Sequence, residues 1–131
     1  RCRDKIRLHL LGGAGTPDAM VIAARETVEE GFTALKFDPV HHIDTGIDRM
    51  VKTAVDLVAA AREGGGPDLD IIIEVHRKLT PMTALTLAEA LAPFNLYFFE
   101  DPIQIDSIQT QSEVARRSNV PMGNGERLTT I

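Results

Sequence analysis

A chain of 131 residues suits one domain of ordinary size, and a composition of 44% hydrophobic and 25% charged residues is that of a globular protein. A net charge of −5 argues against a nucleic-acid surface, and no apolar run approaches the roughly 20 residues of a membrane helix. One cysteine, Cys2, rules out an internal disulfide framework; with no signal peptide visible, a reducing, cytoplasmic setting is expected.

Along the chain the pattern is strand, helix, strand, repeated. Ile6 to Leu11 reads as a first strand, followed by a glycine-rich turn. Thr16-Pro17 then starts a helix: threonine caps it, and proline at the first position needs no N–H there. Met20, Val21, Ala24 and Val28 recur at helical spacing up to the stop at Gly31. Phe32 to Phe37 is the second strand. Ile47, Met50, Val51, Ala54, Val55, Val58 and Ala61 trace one face of a second helix, ended by Gly64-Gly65-Gly66-Pro67. Leu69 to Val75 is the third strand. Thr80-Pro81 repeats the helix-start device, with Ala84, Leu85, Ala88, Leu91 and Ala92 as the buried stripe. Leu96 to Phe99 is the fourth strand, Ser107 to Arg117 a helix with a weak apolar face, and Val120 to Met122 a short fifth strand.

These strand runs are nearly continuous in apolar residues, as in strands covered on both faces. They recur roughly every 25 to 35 residues, the size of a βα unit. Two α/β architectures fit, a doubly wound open sheet or part of a (β/α)₈ barrel. The barrel is favoured, because polar residues fall at the C-terminal ends of consecutive strands, which are neighbours in a barrel and need not be in a doubly wound sheet. A complete barrel needs eight strands, so five βα units imply its N-terminal part, and both ends of the chain read as cut from something longer.

Three of the apolar runs stop at a glutamate: Glu74, Glu100 and Glu126. Neighbouring strands lie about 4.8 Å apart, so carboxylates aligned at one sheet edge repel each other unless a cation joins them. An all-oxygen donor set asks for a hard divalent ion such as Mg²⁺. His76 follows Glu74 by two residues, which on a strand points both side chains the same way, and imidazole exchanges protons near neutral pH. Lys36 and Asp38 repeat that spacing at the end of the second strand; they are candidates for orienting a substrate or for pairing with each other. Arg77 and Arg127 are within reach of an anionic substrate, and the loop pair His41-His42 reads as solvated.

Four segments carry a resemblance. Gly31-Phe32-Thr33-Ala34-Leu35-Lys36-Phe37-Asp38-Pro39, Glu74-Val75-His76-Arg77-Lys78-Leu79-Thr80-Pro81, Phe99-Glu100-Asp101-Pro102 and Gly125-Glu126-Arg127, in this order and spacing, resemble the enolase superfamily. Within it the chain is similar to the mandelate racemase subgroup, near the galactonate- and gluconate-type acid-sugar dehydratases. The resemblance implies a TIM-type barrel of parallel strands and one Mg²⁺ bound at the positions of Glu74, Glu100 and Glu126. It implies abstraction of the proton alpha to a substrate carboxylate, an enediolate stabilised by the metal, and loss of the β-hydroxyl. His76 inherits the role of the general acid, Lys36 a catalytic role, and Asp38 and Arg127 contact with the sugar acid.

This chain departs from the family pattern in three ways. The first ligand is usually Asp and here is Glu74; racemases carry a second lysine where Asp38 stands, which disfavours a lysine-based racemase; and the last three strands, which carry the proton-abstracting His-Asp dyad, are absent, as is the capping domain. The expectation is a partial barrel, inactive alone, whose open edges invite pairing with another chain. The complete enzyme is expected to be a homo-oligomeric lyase acting on a small sugar acid.

Overall fold

The computed structural model describes residues 2–41 and 43–128, so His42 of the loop pair lies outside the described residues. Five strands and four helices alternate: β1 (Leu10–Leu11), α1 (Pro17–Glu29), β2 (Ala34–Phe37), α2 (Ile47–Gly65), β3 (Asp70–Glu74), α3 (Pro81–Leu91), β4 (Phe98–Glu100), α4 (Ile108–Arg117) and β5 (Met122–Gly123). A single 3₁₀ turn, Ala92–Phe94, extends α3. The strands form one sheet in the order β1-β2-β3-β4-β5, and every pairing is parallel. Chain order and spatial order coincide, as a (β/α) barrel requires and a doubly wound sheet with its switch point does not. No helix among the described residues is long and apolar enough to cross a membrane.

The helix starts form as the sequence dictates. Thr16 Oγ1 accepts the Ala19 N–H at 3.4 Å, Thr80 and Thr83 form a reciprocal capping box, and Ser107 Oγ accepts the Thr110 N–H at 3.2 Å. Each cap stands at the C-terminal side of the sheet, so the βα loops there are pinned a few residues from the strand ends.

One face of the sheet packs on the helices. Leu35, Phe37, Ile71, Ile73, Val75 and Phe99 are buried against Met20, Ala24, Ala54, Leu57, Val58, Ala84, Leu87 and Leu91. The alternate residues face the other way. Register pairs Leu11 with Lys36, Lys36 with Ile72, Ile72 with Phe98 and Glu74 with Glu100, which puts this set on the concave side.

The boundaries differ from expectation where tertiary contacts intervene. Only Leu10–Leu11 of the expected Ile6–Leu11 strand joins the sheet. Upstream, the Arg7 guanidinium is tied beneath the sheet to Thr33 Oγ1 (2.6 Å), the Thr33 carbonyl (2.7 Å) and Asp70 Oδ2 (2.5 Å), and lies 6.0 Å from the Tyr97 ring. Ile6 and Leu8 are consequently exposed. In α1 the buried stripe is Met20, Ala24 and Thr27; Val28 is exposed, being one residue and about 100° further round the helix than Thr27. The Thr27 hydroxyl is satisfied by donating to the Ala23 carbonyl at 2.7 Å. α2 runs on through Gly64 and Gly65, where neighbours leave no room for a side chain: a Cβ on Gly64 would stand 2.1 Å from the Val21 carbonyl oxygen of α1, and one on Gly65 2.1 Å from the Leu69 side chain.

Candidate metal and acid-base site

Two features of the fold bring charge together at the C-terminal edge of the sheet. The parallel register sets Glu74 directly opposite Glu100, and Lys36 on β2 projects from the same face one pair earlier. The Lys36 ammonium reaches both carboxylates, 2.8 Å from Glu74 Oε2 and 2.6 Å from Glu100 Oε2. All three side chains are largely shielded, Lys36 at 13% exposure and Glu74 at 10%. Burial pushes the Lys36 pKa down, but the hydrogen bonds and charges of Glu100 and Glu74 outweigh it and hold the ammonium above its usual 10.5. Lysine thus interrupts the apolar β2 run because two glutamates wait on the next two strands.

Asp101 joins this group. Adjacent residues on a regular strand face opposite ways, yet Asp101 follows Glu100 and its carboxylate still approaches the pair, because its backbone turns into the left-handed region at φ 40°. Glu74, Glu100 and Asp101 each offer an oxygen within 4.8 Å of the others. Oxygens around one octahedral Mg²⁺ lie about 2.9 Å apart when adjacent and about 4.2 Å when opposite, so the group must close in to hold such an ion. Asp101 is 1% exposed, and its Oδ2 has no hydrogen-bond partner. That oxygen faces the Arg77 guanidinium, with Nη1 at 3.7 Å.

His76 also reaches the site, by a different route from the strand alternation that the spacing suggests. β3 ends at Glu74, and His76 and Arg77 both take left-handed backbone, φ 50° and 61°. This turn aims the imidazole back over the edge, with Nε2 3.6 Å from Glu74 Oε1 and Nδ1 3.3 Å from Asp38 Oδ2. The ring remains 55% exposed and open to a reacting molecule.

Asp38 is engaged within the protein. Its Oδ1 accepts the Val40 N–H at 2.9 Å, and its Oδ2 faces both His76 and the Lys78 ammonium, the latter at 2.7 Å. Lys78 also donates to the Val40 carbonyl. Asp38 therefore bears on the site through the orientation of His76.

Among the described residues, Glu126 is not part of the group formed by Glu74, Glu100 and Asp101. β5 ends at Gly123, the register partner of Glu100, and Glu126 lies three residues further along, 39% exposed and ion-paired with Arg77. Arg127 is exposed on the same turn. The structure thus brings together Lys36, Asp38, Glu74, His76 and Glu100, adds Asp101 and Lys78, and holds Glu126 against Arg77. A cavity of about 300 Å³ lined by Gly12, Gly13, Phe37, Asp38 and His41 opens beside Asp38. Larger cavities lie beside the start of α2, in the groove between α3 and α4, and between the starts of those two helices.

Comparison with known proteins agrees with the fold. A D-gluconate/D-galactonate dehydratase of Picrophilus torridus is 36% identical over 116 residues, covering 86% of this chain and 29% of that protein. A D-gluconate dehydratase of Thermoproteus tenax is 30% identical over 132 residues, covering 98% of this chain and 27% of that protein. The chain thus spans less than a third of the length of these curated relatives. The crystal structure of an enolase from Agrobacterium radiobacter, bound to Na and L-malate, superposes with a TM-score of 0.85 at 25% identity, covering 97% of this chain and 33% of that one. Residues 19–131 match the family described as Enolase C-terminal domain-like, and the chain belongs to that family.

Proposed function

We propose that the complete protein is a Mg²⁺-dependent dehydratase of a sugar acid, converting an aldonic or similar acid into its 2-keto-3-deoxy product. The observation that carries this reading is the register of Glu74 against Glu100 at the C-terminal edge of the sheet, with Asp101 beside them. Glu74, Glu100 and Glu126 would hold the metal. When bound there, Mg²⁺ would supply positive charge to the substrate carboxylate while the His-Asp dyad that the family resemblance assigns to the remaining strands takes the proton alpha to it.

The chain's own residues supply the rest. Lys36, kept protonated by its two glutamates, offers a fixed positive charge beside the metal ligands, where it orients the substrate carboxylate. His76 is the general acid that gives a proton from its ring to the departing β-hydroxyl. Asp38 holds the opposite ring nitrogen and so fixes which nitrogen faces the substrate. Arg127 meets the far end of the acid from the rim. The sugar-acid class follows the names carried by the two curated relatives.

The test is conversion of D-gluconate or D-galactonate by the full protein in Mg²⁺, followed by appearance of the 2-keto-3-deoxy acid. Loss of that product in Glu100→Gln is expected. Wild-type exchange of the α-proton for deuterium without loss of water would overturn the dehydratase reading in favour of an epimerase or racemase.

A further inference from the structure

Arg77 is bound to the β4–β5 edge at both ends of its own residue. Its backbone N–H donates to the Asp101 carbonyl at 2.7 Å, and φ 61° turns its side chain across the edge. There the Nη1 atom faces two carboxylates: it is ion-paired with Glu126 and lies 3.7 Å from Asp101 Oδ2. The two acids differ in kind. Glu126 is 39% exposed on a turn that follows Gly125 at φ 132°, whereas Asp101 is 1% exposed. Asp101 Oδ1 accepts the Gly125 N–H at 3.2 Å, which fixes this carboxylate against the same turn. Neither Asp101 Oδ2 nor Arg77 Nη1 has a hydrogen-bond partner, so this buried carboxylate oxygen is held only by the 3.7 Å ion pair between them.

We infer that Arg77 and Asp101 are positioning residues for Glu126, with Arg77 exchanging one carboxylate for the other. While Arg77 holds Glu126, that carboxylate is committed to the guanidinium and not to a cation at Glu74 and Glu100. When Glu126 swings toward a cation held by those two, Arg77 closes the remaining gap to Asp101 Oδ2 and satisfies it. Asp101 is thus the second seat that lets Arg77 release Glu126 without either group being stranded. This inference rests on the reading of Glu74, Glu100 and Glu126 as the metal ligands.

The test is a double-mutant cycle on Mg²⁺ affinity, measured by calorimetry on the full protein with no substrate. Asp101→Asn keeps the side-chain shape but removes the second seat, and is expected to weaken Mg²⁺ binding about tenfold. Arg77→Met alone is expected to change it by about twofold or less, and in the Asp101→Asn background to restore it to within about threefold of wild type. Strictly additive effects, the signature of simple field changes at a distance, would overturn the exchange. A second readout needs no variant: amide hydrogen exchange at Gly125 and Glu126 is expected to change when Mg²⁺ binds the wild-type protein. Unchanged exchange in a protein that binds Mg²⁺ overturns the inference while leaving the metal site standing. Absence of Mg²⁺ binding by the folded wild type overturns both.

Discussion

Lys36 on β2 reaches over β3 to place its ammonium 2.6 Å from Glu100 on β4, contacting Glu74 on the way at 2.8 Å. One cation therefore ties three consecutive strands at the edge where the site lies. Replacing it by Met leaves two shielded carboxylates facing each other in register. The expected loss is about 3 kcal/mol of stability, read by denaturant unfolding of the full protein without metal. Added Mg²⁺ is expected to recover part of it, since a ligand bound only by the folded state stabilises that state.

The same lysine sets a pH dependence. Its folded pKa is raised above 10.5, so its contribution to stability is fully present below that value and is lost as pH rises through the folded pKa. Unfolding midpoints of wild type and Lys36→Met are therefore expected to converge above pH 10.5 and to keep a constant gap from neutral pH up to there. A gap that closes between pH 7 and 9 would contradict the assignment.

In the proposed function His76 supplies the acid and Asp38 its orientation. His76→Asn is expected to lower kcat for the dehydration by about 10² to 10⁴, the range for a lost general acid. Asp38→Asn keeps one acceptor oxygen for the Val40 N–H and turns an amide NH2 toward the imidazole, which loosens the ring without removing the acid, so a smaller loss of about tenfold is expected, with KM little changed. Equal losses in the two variants would contradict the division of roles.

Much of this was legible in the sequence. Thr16-Pro17 and Thr80-Pro81 mark helix starts through local chemistry alone, and the apolar runs of β3 and β4 stand out because those strands are covered. The glutamates ending these runs pointed to the site edge for the same reason, since strand position fixes which face a side chain takes. What escaped depended on backbone turns and on distant partners. Asp101 sits on the wrong face by strand parity and reaches the site only through its positive φ; its signal was the Glu-Asp-Pro segment, which reads equally as a strand stop. The Arg77–Glu126 pair joins the turns after β3 and β5, a proximity that no spacing rule contains.

Arg62 escaped for the same reason. From the end of α2 its guanidinium donates to the carbonyls of Gly66 (2.9 Å), Leu69 (2.5 Å), Phe94 (2.9 Å) and Asn95 (3.3 Å), gathering the loops at the N-terminal side of β3 and β4. Burial lowers its pKa, partly offset by the charge of Asp70. Arg62→Ala strands several of these oxygens and is expected to cost about 2 to 4 kcal/mol in chemical unfolding. Arg62→Lys, which cannot fork, is expected to recover less than half of the loss.

The metal site itself is tested most directly by titrating Mg²⁺ into the full protein by calorimetry, beside the Glu74→Gln/Glu100→Gln/Glu126→Gln triple variant. Saturable binding at one site in the wild type, lost in a triple variant that remains folded, is the predicted result. Wild-type affinity in the folded triple variant would contradict the assignment of these three carboxylates to the metal.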